Sequence, residues 1–141
     1  MKAKTIIYWI ATLFLVCIMT VSGVLAVTHA PRMMKALAHL GYPPYFSNLL
    51  GVAKLSGVCV LLVPGFVRLK EWAYVGFGIV VISASYSHLL SGDGLMALEP
   101  LVTLAALAVS YSTRPADLRI EYSIRGQALP NAFSATRRSA R

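Results

Sequence analysis

Six side chains able to exchange protons or pair as charges stand inside or beside runs that are otherwise apolar: Tyr42, Lys54, Tyr86, His88, Asp93 and Glu99. Lys54 is the clearest case. It lies in "LLGVAKLSGVCVLLV", residues 49 to 63, where every other residue is apolar or small. Glu99 is the only acid within the hydrophobic runs, so these residue types point to a Lys54–Glu99 ion pair. His88 and Tyr86 are its candidate polar neighbours, and Tyr42 and Asp93 lie at the rim. Such a group has two uses. The charges can satisfy one another and set helix register, or they can form a polar ligand pocket or a proton-transfer site, as ionisable groups in membranes do.

The elements that must position these residues follow from composition. Of 141 residues, 57% are hydrophobic and 13% charged, and the mean hydropathy is +0.70, against roughly 25% charged in an ordinary soluble domain. Runs at 6–27, 47–63, 72–90 and 95–111 contain few charges and have the length of about 17–25 residues that crosses a bilayer as a helix. They lack the alternation of a barrel strand, and lipid cannot hydrogen-bond to an open backbone, so helices are expected. The fold class read from this pattern is all-α, an integral membrane four-helix bundle. The first run follows Lys2 and Lys4 in the manner of a secretory signal, but it exceeds the 7–15 apolar residues of a signal core and is expected to stay as helix 1.

Basic residues give the orientation. Lys2, Lys4, Arg68, Lys70, Arg114, Arg119, Arg125, Arg137, Arg138 and Arg141 fall on one side of a four-span chain, and only Arg32 and Lys35 on the other. The positive-inside bias then makes both termini cytoplasmic, in a multi-pass protein of the cell's inner (plasma) membrane. The net charge of +8 is accounted for by topology, and a nucleic-acid partner is not expected, because the bases are not gathered on one soluble face. Residues 114–141 hold too few large apolar residues for a core and are expected to form a flexible basic tail.

The connection after helix 1 carries its own pattern. In "RMMKALAHLGYPPYF" the residues Met33, Met34, Leu37 and Leu40 recur at helical spacing, which predicts an interfacial helix over 32–40. Gly41 ends it, Pro43 and Pro44 forbid its continuation, and Tyr42, Tyr45 and Phe46 suit an aromatic belt. That helix either anchors on the membrane surface or lids a cavity between the spans. Lys54 then lies about 10 Å into its span, with Gly51 and Gly57 one turn away to allow close contact with protein. Ser83, Ser87 and Gly76 read mainly as packing residues of the third span. His29 and His39, without Cys or acid at ligand spacing, make a poor metal site. Cys17 and Cys59 sit at different depths, beyond disulfide reach, and read as packing thiols.

The segments "LGYPPYF", "LLGVAKLSGVCVLLVPG" and "RLKEWAYVGFGIVVISASYSHLLSGDG" occur in an order that resembles the DoxX-like family of small four-helix bacterial membrane proteins. Lys54, His88 and Asp93 match the recurring pattern. Relatives often carry an acid in the third span where this chain has Val80, so no role of that acid is carried over. The resemblance implies a four-helix bundle that acts as a small subunit beside another polypeptide, with a quinone as candidate ligand. Two functions remain in view. One is an accessory or binding subunit of a membrane system, working with a partner protein or a second copy. The other is an enzyme doing acid–base or redox-coupled chemistry on a lipophilic substrate. The first is preferred, because a self-contained redox enzyme needs an electron carrier and no covalent attachment motif for one is legible in the sequence.

Overall fold

The computed structural model describes residues 2–115 and Leu118. Its elements are α1 (Lys2–Val27), α2 (Pro31–His39), α3 (Tyr45–Leu62), α4 (Val67–Leu90), a short 3₁₀ helix (Gly94–Ala97) and α5 (Leu98–Thr113). Apart from Arg114, Pro115 and Leu118, the flexible tail expected over 114–141 lies outside the described residues. All regular structure among the described residues is helical, and four helical stretches are long and apolar enough to cross a membrane: Ala3–Val27, Tyr45–Leu62, Val67–Leu90 and Gly94–Thr113. This is a multi-pass membrane protein.

The helices form a four-membered ring. α1 packs on α3 and α5, and α4 packs on the same two, so α3 and α5 face each other across a diagonal. Each helix buries a stripe at 3–4-residue spacing: Tyr8, Thr12, Leu15 and Met19 on α1; Ser47, Gly51, Lys54, Val58 and Leu61 on α3; Lys70, Tyr74, Phe77, Val81 and Ser85 on α4; Thr103, Leu107 and Ser110 on α5. Leu15, Phe77, Val81 and Leu107 meet in one core, while Ile10, Val52, Trp72, Ile79 and Val102 stay exposed on the outer surface, where lipid covers them.

α1 and α3 cross closely because glycine removes the side chain at the crossing. A Cβ on Gly51 would stand 2.6 Å from Val27 Cγ2 and 2.9 Å from the Gly23 carbonyl oxygen. Gly57 does the same for α3 and α4, where a Cβ would stand 2.7 Å from the Phe77 ring. The close contacts expected of these two glycines are present. Gly76 differs, since a Cβ there meets nothing within 4 Å; it borders a space instead of packing.

Two ends can now be distinguished. The strap end carries α2 and the turn at 91–93; the terminal end carries the start of α1, the 63–66 turn and Arg114. α2 begins with a proline, which fits the first helical turn. It closes with Gly41 at φ 81, after which Tyr42 N–H reaches the Leu37 carbonyl at 2.9 Å. Leu37 is buried and Met33, Met34 and Leu40 are half-buried, so the predicted stripe rests on protein. α4 starts five residues earlier than the hydropathy run at 72–90 suggested, because the charged "RLKE" turn is helical and finds partners. Cys17 and Cys59 are free thiols, as expected, yet both are exposed on the outer surface and not packed inside.

Candidate functional site

The six residues singled out above do not assemble into one pocket. Lys54 Nζ donates to Ser22 Oγ on α1 at 2.7 Å, and its residue is 9% exposed. No ion pair joins it to Glu99. Ring order explains the difference. Lys54 belongs to α3 and Glu99 to α5, which lie on a diagonal, so their attraction is Coulombic at a distance. Lys54 turns to the neighbour that the Gly23–Gly51 crossing brings close. Glu99 is exposed near the start of α5, and Tyr86 is 63% exposed on α4.

Of the remaining three, His88 and Asp93 meet at the strap end, and Tyr42 bonds Ser87, the residue before His88. His88 Nδ1, on the last turn of α4, donates to Asp93 Oδ2 at 2.6 Å. His39 Nε2, on the last turn of α2, donates to Asp93 Oδ1 at 2.6 Å. Beside them Tyr42 and Ser87 share a hydroxyl hydrogen bond of 2.9 Å, and Tyr42 stacks on Phe46 with centroids 4.8 Å apart. One carboxylate thus takes an imidazole on each oxygen. The Asp93 side chain is 9% exposed, that of His88 20% and that of His39 56%, so the cluster runs from water into the bundle end. The hydrogen bonds from His39 and then His88 hold the Asp93 carboxyl below the usual carboxylate range, because donors to the ionised form favour it. From the sequence alone His39 is weighed only with His29, as a poor metal site without an acid at ligand spacing. Its partner lies 54 residues away, and only the chain reversal at Gly41 to Pro44 and the turn after α4 bring the two together.

Two further features had little or no sequence signal. At the terminal end, Arg114 NH2 donates to Glu71 Oε1 at 2.6 Å, and its guanidinium lies 4.2 Å from the Tyr111 ring centroid and 5.0 Å from that of Tyr74. Arg114 is 5% exposed, so it belongs to the bundle and not to the tail in which it was placed. Next to it, Ser110 shares hydrogen bonds of 2.7 Å with Thr12 and with Tyr74, and Lys70 Nζ donates to the Leu61 carbonyl, capping the end of α3. One signal could have found this network: Thr12 is polar inside the first apolar run, and Ser110 and Arg114 are polar one helical turn apart at the end of the last, which in lipid marks the inward face.

The second feature is a groove of about 250 Å³ between α3 and α4, lined by Lys54 and Gly57 on one side and by Trp72, Gly76, Phe77 and Val80 on the other. It extends roughly 12 Å along α4 at 1.5 Å per residue. The walls are hydrocarbon except for Lys54, whose ammonium is turned away to Ser22. The open space beside Gly76 is part of it. Among the described residues no group of three or more His, Cys, Asp or Glu side chains is arranged to hold a metal ion.

Comparison with curated proteins and with solved structures returned no match. Residues 10–110, which run from within the first apolar helix to within the fourth, match the DoxX-like family. An apolar ring of four helices in this order, matched from the first to the last of them, makes this chain a member of the DoxX-like family.

Proposed function

We propose that this membrane protein is a binding or accessory subunit that takes a lipophilic molecule, a quinone or another amphiphile, into the groove between α3 and α4. In this reading it sits in the plasma membrane with both termini on the cytoplasmic side, where most of its bases fall. The groove is the observation that carries the reading. Apart from Lys54 its lining is apolar, so it suits an isoprenoid or acyl chain, and Gly76 keeps it open where any side chain would fill it. Trp72, 76% exposed, marks its end near the interface that aromatic residues favour.

The test is to purify the chain into lipid nanodiscs and identify what stays bound by mass spectrometry. The wild type should retain an amphiphile, and Gly76→Leu should lose it while keeping its helix content, since the new side chain enters open space. Equal retention by both proteins overturns the groove. Recovery of a second membrane polypeptide in fixed ratio supports the accessory role.

A different observation favours an enzymatic alternative. Asp93 orients His88 through Nδ1, which leaves Nε2 for general acid–base work of the kind histidine performs. Turnover by the isolated chain that disappears in His88→Ala and survives in Gly76→Leu would establish that alternative.

A further inference from the structure

We infer that His39, Asp93 and His88 form a proton-responsive clasp, which holds α2 against the end of the bundle and tightens as protons are taken up. The mechanics come from the backbone. α2 is a nine-residue rod between two corners in the left-handed region, His29 at φ 51 and Gly41 at φ 81. Glycine adopts that region freely and histidine at a cost. Three side chains fasten the rod and its exit: Leu37, buried below it, His39 on Asp93, and Tyr42 on Ser87. Arg32, Lys35 and Ala36, on its other face, are exposed.

Asp93 is the fixed half of the clasp. Its backbone N–H is bonded to the His88 carbonyl at 3.1 Å, and its own carbonyl accepts Met96 N–H at 3.1 Å. The carboxylate therefore moves with α4 and the 3₁₀ helix, and α2 is the part that can lift. The side chains that act on Asp93 are His39 from α2 and His88 from α4. Lys35, one turn before His39, is exposed, and Glu99, the next acid along the chain, makes no ion pair with the cluster.

The direction of the response follows from the charges. A neutral imidazole gives the carboxylate one ordinary N–H bond, and a protonated one gives a charge-assisted bond roughly twice as strong. Histidine is the side chain that takes up protons between about pH 8 and about pH 5. Asp93 stays ionised through that interval, since its carboxyl is held below the usual carboxylate range. The clasp therefore strengthens on mild acidification. A carboxyl so depressed contributes stability above its ordinary range and loses it only as pH falls through the lowered value, so release requires stronger acid.

The native bases of α2 report its opening. Tryptic cleavage after Arg32 and Lys35 of the purified full chain requires α2 to lift and unfold locally, and at low protease concentration, where α2 recloses faster than it is cut, its rate follows the open population. Rates are normalised at each pH to an unstructured peptide. Wild-type cleavage at these two bonds should be slower at about pH 6 than at about pH 8. Asp93→Asn should raise it a few-fold at the lower pH, the factor for an ion pair with one water-exposed partner, and less at the higher. His39→Ala, at an exposed position, should reproduce the effect, and the two changes together should add nothing further. Equal wild-type cleavage at both pH values, or a His39→Ala rate equal to wild type, overturns the proposal.

Discussion

The two ends of this bundle both concentrate polar side chains, but they do so in opposite ways. At the terminal end Arg114, Ser110 and Thr12 are buried among helices, and their partners come from the other members of the ring. At the strap end the carboxylate of Asp93 is gripped by one half-exposed and one largely shielded histidine, and one of the two rides on a short helix outside the ring. A buried polar group has no water to fall back on, so losing its partner leaves a desolvated charge or hydroxyl. A group at the surface can exchange its partner for water. The terminal end is therefore built to stay closed, whereas the strap end can open at low cost.

The largest test of that contrast is Arg114→Ala. It removes the partner of Glu71 and the cation above two tyrosine rings, and should destabilise the protein by about 3–5 kcal/mol, the range for breaking a buried ion pair. Thermal unfolding in detergent would measure it. A loss below that of an ordinary surface mutant would mean that Arg114 is as replaceable as His39. Ser110→Ala should come next, at about 1–3 kcal/mol, because it strands the Thr12 and Tyr74 hydroxyls in the same core; Thr12→Val in the same background should then cost little more. The smallest effect belongs to the strap end. Asp93→Asn should leave the global unfolding temperature unchanged near neutral pH, although α2 opens more often. A large drop there would show that the clasp supports the whole fold, and the contrast between the ends would be lost.

How far the sequence reached depends on the kind of residue. The four spans were legible from hydropathy, as were the separate α2 and its end at Gly41 and Pro43. Hydropathy alone starts α4 too late, because the charged Arg68, Lys70 and Glu71 interrupt the apolar run. Lys70 and Glu71 are helical because a carbonyl at the end of α3 and a guanidinium after α5 receive them. The Lys54–Glu99 pair rested on Glu99 being the only acid within the hydrophobic runs and on matching depth. Depth says how far a residue lies from the interface and nothing about which neighbour its helix has, and ring order gave Lys54 the hydroxyl of Ser22. His88 and Asp93, five residues apart around one turn, were within local reach. His39, 54 residues from Asp93, was not.

The sequence alone determined that this chain is helical, with four stretches long and apolar enough to cross a membrane. Those properties are set by the length and apolarity of continuous runs, which lipid tests one segment at a time. Only the tertiary structure decided which face of each helix turns inward, that α3 and α5 stand on a diagonal, and that His39 shares a carboxylate with His88. The reason is the solvent. In a bilayer the lipid-facing and core-facing surfaces of a helix are both apolar, so hydropathy cannot separate them, and the choice falls to close glycine crossings and to a few hydrogen bonds between residues far apart in the chain.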